Sequence, residues 1–283
     1  GVDFALCEIG GTVGDIEALP FFEAIRQLGF EMGSKKCAFL HLTLLPFISS
    51  CGELKTKPTQ HSVKELRSIG IQPNVLLCRA EHDISQAEIE KIAKMCSVEV
   101  ENVIPALNAN NIYEVPLLYH NHGLDGQILK HFNLRHKDVD LKKWQKIADD
   151  IKKSKKSNKS AKIAVVGKYV DHQDSYKSLF EAINHAAIHL KLNIELQLIN
   201  SRKKIDHEKL KDIDGFLVPG GFGGDGTEGK IDIIKYAREN NVPYFGICFG
   251  MQMAVVEFAK NVAGIADATS SEIKKTGSHV IGL

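Results

Sequence analysis

Apolar runs of β-type residues alternate with helical patterns along this chain, and the alternation is interrupted once before it restarts. No other feature constrains the fold as much. Strands separated by helices cannot close as hairpins; they line up in parallel sheets with helices on both faces. Before the interruption, strands are predicted at Val2–Ile9, Cys37–Leu45 and Asn74–Cys78. Helices are predicted at Ile16–Leu28, Pro58–Ser68, Ser85–Cys96, Asn111–His122, Asp125–His131 and Val139–Lys152. Pro58 suits a first helical position, and Ser85 followed by Glu88 forms a capping box. After the interruption come strands at Lys162–Val166, Ile194–Ile199, Phe216–Val218 and Tyr244–Ile247, with helices at Ser175–Leu190, Glu228–Glu239 and Met251–Lys260.

The interruption is Ile151-Lys-Lys-Ser-Lys-Lys-Ser-Asn-Lys-Ser160. It cannot bury a core and reads as a solvated linker. As a nucleic-acid tail it lacks aromatic residues to stack bases. The expected organisation is therefore α/β with two doubly wound, mostly parallel sheets: a first domain over 1–150, a linker over 151–160 and a second domain over 161–283. A length of 283 residues suits two domains. Hydrophobic residues at 43% exclude a disordered chain. A net charge of +1 gives no global field to attract nucleic acid or an anionic membrane, so an anionic ligand must be held by local clusters. No apolar run is long enough to span a membrane, and Asp3 and Glu8 break the first stretch as a signal peptide. The six cysteines show no C-x-x-C pair or metal-ligand spacing. Cys7, Cys37, Cys51, Cys78 and Cys96 read as buried small apolar residues in a reducing compartment, and a cytoplasmic protein is expected.

The sixth is different. Gly246-Ile-Cys-Phe-Gly250 lies between an apolar strand and a helix, the G-x-nucleophile-x-G form with Cys248 in the nucleophile position. The helix N-terminus behind it favours a thiolate, and the Phe249 amide can face a developing oxyanion. Val218-Pro-Gly-Gly-Phe-Gly-Gly-Asp-Gly226 follows its own strand, and Gly221 is a natural second oxyanion donor. A competing reading is a phosphate loop, because Gly224 to Lys230 fits G-x-x-x-x-G-K. Against it, Ile231 stands where Ser or Thr should hold Mg²⁺, and Asp225 and Glu228 would repel phosphate. A cysteine nucleophile needs a base. The candidates His185, His189, His207 and His279 are none of them convincing, so the triad reads as incomplete.

The first half carries two anion-facing patches. Lys55-Thr-Lys-Pro-Thr-Gln60 puts two cations, hydroxyls and an amide at a helix N-terminus, a combination suited to phosphate. Glu8-Ile-Gly-Gly-Thr-Val-Gly-Asp-Ile-Glu17 brackets a turn with carboxylates able to hold Mg²⁺ or accept hydrogen bonds from ribose or an amine. His120 and His122 are too few for a metal site.

These strings, with Gly52-Glu-Leu-Lys55, Val165-Val-Gly-Lys-Tyr169, Pro219-Gly-Gly-Phe-Gly223 and Gly246-Ile-Cys-Phe-Gly-Met-Gln252, together resemble the CTP synthase family in order along nearly the whole chain. KTKPTQ beside GGTVGDIE is specific to that family; the cysteine elbow alone would indicate only a class I glutamine amidotransferase. The resemblance implies a P-loop-type synthetase (amidoligase) domain followed by a class I glutaminase domain. It implies glutamine hydrolysis through a thioester on Cys248, with Gly221 and Phe249 at the oxyanion and Gly250, Met251, Gln252 and Glu272 lining the glutamine site. It implies ATP-dependent amination of UTP to CTP by the released ammonia. Glu8 would be a Mg²⁺ ligand, and Asp15, Ile16, Glu17, Lys55, Thr56, Lys57, Pro58, Thr59, Gln60 and Lys91 would contact UTP or the inhibitor CTP. GTP as activator, a homotetramer and filaments follow from the same resemblance. So do two departures. The family's Walker loop would lie before Gly1 and its His-x-Glu pair after Leu283, so both domains are expected to be incomplete and this polypeptide inactive alone. The family also carries Arg where Asp225 stands, which implies an altered response to GTP. Two alternatives stay open: a glutaminase-fold enzyme feeding another synthetase, and a non-catalytic fragment that only binds nucleotide or assembles.

Overall fold

The computed structural model describes residues 1–50, 52–135, 138–170 and 173–282. It divides into two units, Gly1–Ala148 and Asp149–Leu283.

In the first unit, in chain order, lie α1 (Leu19–Met32), β1 (Leu40–Leu44), β2 (Phe47–Ile48), β3 (Glu53–Leu54), α2 (Lys57–Ser68), β4 (Val75–Ala80), α3 (Gln86–Cys96), β5 (Val103–Leu107), α4 (Val115–Asn121), α5 (Leu124–His131) and the start of α6 (Lys142–Lys155). The sheet is parallel, in the order β1-β4-β5. β4 is nearly all apolar, as a strand buried on both faces must be. Val63, Leu76, Ile92 and Val103 close the core between α2, α3 and the sheet. Ser85 caps α3 with the expected box: its hydroxyl accepts from the Glu88 amide and the Glu88 carboxylate accepts from the Ser85 amide.

Three expectations are corrected here. Val2–Ile9 is not a strand; a strand needs a neighbour to take its N–H and C=O groups, and no described strand pairs with it. Cys7, expected inside, is accordingly exposed. β5 escaped the sequence reading because Pro105 interrupts its apolar run, yet it lies at an edge of the sheet, where proline is tolerated. Among the other cysteines, Cys78 and Cys96 are buried and Cys37 is half-buried. Burial pushes the Cys78 and Cys96 thiols up to about 11. Cys51 lies outside the described residues.

The stretch 151–160 is in part structured. Its first five residues complete α6, with Ile151 buried and the Ser154 hydroxyl donating to the Leu192 carbonyl. The apolar positions Ala148 and Ile151 share one face of that helix and outweigh the lysines on the other.

The second unit continues with β6 (Ser160–Gly167), α7 (Lys177–Leu190), β7 (Asn193–Asn200), β8 (Gly215–Val218), α8 (Thr227–Glu239), β9 (Tyr244–Gly246), α9 (Phe249–Asn261), β10 (Ala268–Ser270) and β11 (Ser278–Ile281). Its parallel sheet runs β7-β6-β8-β9. β8, with all four residues buried, is flanked by β6 and β9. Because β8 and β9 are parallel neighbours, the loops at their carboxyl ends emerge side by side, the edge at which such sheets bind ligands.

Candidate active site

Val218 pairs with Gly246, and the Ile247 amide still donates to the Val218 carbonyl at 2.9 Å. The chain must then turn at once into α9. Cys248 takes φ +51° and ψ −108° and is the N-cap of that helix, exposed at its tip. The two flanking glycines are required by space. A Cβ on Gly250 would lie 2.1 Å from the Val218 oxygen, and one on Gly246 would lie 2.5 Å from the Gly250 carbon. The crowding that excludes a side chain at both positions is backbone against backbone. Tyr244 locks the turn by donating to the Gly250 carbonyl at 2.7 Å, and burial pushes its hydroxyl well above the ordinary tyrosine value.

The glycine-rich loop after β8 lies alongside. A Cβ on Gly220 would sit 3.7 Å from the Cys248 Cβ. The Gly223 amide donates to Glu272 Oε1 at 2.9 Å, and Lys168 Nζ donates to the Phe222 carbonyl at 2.7 Å. The structure thus gathers Gly221, Cys248, Phe249 and Glu272 around one sheet edge. The Phe249 amide is the first of α9, one of the donors a helix leaves without an intrahelical acceptor. Gln252 Oε1 is buried with no hydrogen-bond partner, leaving an acceptor free for a ligand at this edge. Met251 is exposed beside it.

No imidazole among the described residues is hydrogen-bonded to Cys248. His207 pairs with Asp232 at 2.9 Å, His279 meets the Lys274 carbonyl at 2.9 Å, and His185 lies 4.0 Å from Glu181. Asp225 is held by Arg202 Nε at 2.6 Å.

Sequence reasoning missed two lysines. Lys168, in the string Val165–Tyr169, ties down the glycine-rich loop. Lys230 is buried, its Nζ 4.6 Å from the centre of the Phe249 ring. Desolvation, with the like charge of Lys168 adding to it, lowers the Lys230 amine to about 8. The sign for stability follows. Between about 8 and 10.5 the unfolded chain binds the proton and the folded one does not, so stability rises with pH across that window. Relative to K230M, the wild type is expected to gain up to about 3 kcal/mol between those limits, read from denaturant unfolding at a series of pH values.

In the first unit the Lys55–Gln60 loop enters α2 with Pro58 in its first turn. Thr59 is buried and donates to Leu44 O at 3.2 Å, and Gln60 Nε2 donates to Thr56 Oγ1 at 3.1 Å. Lys57 and Pro58 face solvent. Lys55 donates to Glu53, which holds that carboxyl below its usual range, and Lys91 acts on the same carboxyl. The turn at Asp15 is held by Thr12 N donating to Asp15 Oδ2 at 2.8 Å. A Cβ on Gly14 would lie 3.6 Å from Glu65, which places this turn by the third turn of α2, roughly 12 Å along the helix from Lys57. The two patches are not one cluster in this unit. Ile16 and Glu17 are exposed beside Asp15, and Glu8 is exposed. Among the described residues no three His, Cys, Asp or Glu side chains group as a metal site, so Glu8 is a single carboxylate there. His120 pairs with Asp125 at 2.8 Å.

The family described as "CTP synthase N-terminus" matches residues 1–134, and "Glutamine amidotransferase class-I" matches residues 171–282. The chain joins a synthetase-type α/β unit to a class I glutamine amidotransferase unit. CTP synthase of Rickettsia peacockii is 55% identical over 284 residues, covering 99% of this chain and 52% of that protein. CTP synthase of Hyphomonas neptunium is 52% identical over 288 residues, covering 100% and 52%. This chain belongs to the CTP synthase family, and it spans about half the length of the curated relatives it matches. The solved glutaminase domain of Trypanosoma brucei CTPS with bound acivicin aligns with a TM-score of 0.40 and 38% identity, over 42% of this chain and 48% of that one. No described helix is long and apolar enough to cross a membrane.

Proposed function

We propose that this protein acts in the ATP-dependent amination of UTP to CTP at uracil position 4, with ammonia taken from glutamine. The observation that carries the reading is the Cys248 elbow, set beside the Gly221 loop on a chain belonging to the CTP synthase family. The Cys248 sulfur attacks the side-chain amide carbon of glutamine. The carbonyl oxygen becomes an oxyanion facing the Gly221 and Phe249 amides, ammonia leaves, and water cleaves the thioester to give glutamate. Gly250, Met251, Gln252 and Glu272 line that site. In the synthetase reaction the γ-phosphoryl group of ATP moves to the uracil O4. Ammonia then attacks C4 and phosphate departs. Asp15, Ile16, Glu17, Lys91 and the segment from Lys55 to Gln60 hold UTP or CTP, and Glu8 would supply one carboxylate to Mg²⁺, whose charge would offset that of the phosphates. GTP activation, a homotetramer that builds filaments and a cytoplasmic setting belong to the same proposal. So does an altered GTP response caused by Asp225.

The test is an assay of the full-length protein for glutamine- and ATP-dependent conversion of UTP to CTP. Formation of CTP is expected; its absence from a folded protein overturns the reading. In the same assay D225R should change the GTP dependence, and an unchanged response removes that part.

A further inference from the structure

The string from Gly224 to Lys230 was the one motif that the glutaminase reading left without a use. In the structure its lysine serves no phosphate cradle. Lys230 stands in the first turn of α8, 2% exposed. Its ammonium lies close to both residues proposed to hold the oxyanion: Nζ is 4.6 Å from the Phe249 ring centre and 3.6 Å from the point where a side chain on Gly221 would begin. Among the described residues no carboxylate forms an ion pair with it. The charged and titratable groups around it are few. Lys168, following β6, opposes its charge; Asp225, bonded to Arg202 rather than to Lys230, supports it from a distance; Tyr244 on β9 is committed to the Gly250 carbonyl. A buried ammonium with no counter-ion is costly, and proteins keep one where its charge is used.

The geometry points to Lys230 as a positioning residue of the elbow. Its ammonium braces Gly221 and Phe249 from below and supports negative charge on the Cys248 thiolate and on the oxyanion held between their amides. The depressed proton affinity of the amine agrees with a charge held in a desolvated place beside the like charge of Lys168. This inference rests on reading Cys248 as the nucleophile.

The experiment measures alkylation of Cys248 by iodoacetamide against pH in the full-length protein, wild type, K230M and K230R, with and without glutamine. Methionine keeps the length of the side chain and removes the charge, a replacement that buried sites accept; thermal unfolding checks the fold. In K230M the alkylation midpoint should move up by about 0.5 to 1 pH unit, and K230R should restore most of the shift. A midpoint unmoved in K230M overturns the proposal, as does an equal shift in both variants, which would mean that shape alone matters. If K230M does not fold, C248S in a lysine-labelled protein reads the reciprocal effect by NMR. Loss of the thiolate should lower the Lys230 titration midpoint, and no change overturns the proposal. If glutamine fails to slow alkylation of the wild type, the nucleophile reading itself fails and the role of Lys230 falls with it.

Discussion

Replacing Gly250 by alanine is expected to remove about 3 kcal/mol or more of stability from the second unit, at the upper end of what overpacking costs. The added carbon would lie 2.1 Å from the Val218 oxygen and 2.9 Å from the Val218 carbonyl carbon. A flexible side chain could swing away from such a clash; Val218 cannot. It is the last residue of β8, which is hydrogen-bonded on both sides by β6 and β9 and wholly buried. Relief must come from α9 lifting off the sheet. That would strip Phe249, Met253 and Val256 from the core they share with Ile234. Gly10→Ala is the control, since nothing lies within 4 Å of its Cβ position and its φ is ordinary for an L residue. It should change stability by less than about 0.5 kcal/mol. Urea unfolding followed by circular dichroism measures both. A loss below about 1 kcal/mol for Gly250→Ala would show that α9 is not held against β8 as described.

What could be read from the sequence followed from local rules. The elbow, the glycine loop and the capping box at Ser85 each depend on residues close in the chain, and each formed where it was expected. The alternation of strands and helices gave parallel sheets for the same reason. The misses depend on neighbours that local pattern does not reveal. Val2–Ile9 has strand composition but no paired strand among the described residues. Pro105 argues against a strand until the edge position of β5 is known. The lysines of 151–160 concealed a helix whose other face is apolar. Lys230 entered the sequence reading only through the phosphate-loop pattern that Ile231, Asp225 and Glu228 argue against, and only the packing of α8 against α9 shows it buried beside Phe249. The separation of the Asp15 turn from the Lys55 loop along α2 was equally invisible, since both strings read alike as nucleotide-facing.

On the proposed function, Cys248→Gly in the full-length protein is expected to abolish glutamine hydrolysis and, at the same time, to make the fold more stable. The loss should be about 10³-fold or more, because no other side chain at the elbow offers a nucleophile to the amide carbon. The gain comes from the backbone. At φ +51° and ψ −108°, Cys248 holds a conformation that only glycine adopts without strain, at a cost on the order of 1–3 kcal/mol. Glycine releases that strain but adds roughly 0.5–1 kcal/mol of chain entropy to lose on folding, so a net gain of about 1 kcal/mol is expected. Cys248→Ala separates the two effects: it removes the sulfur and keeps the strain. Both variants should lose the glutamine-dependent reaction and keep any CTP formation supported by added ammonia, while the glycine variant alone should unfold at higher denaturant. A glycine variant no more stable than the alanine variant would mean that the turn at Cys248 is not strained. Loss of the ammonia-supported reaction in both would mean that the elbow supports the synthetase reaction as well as the supply of ammonia.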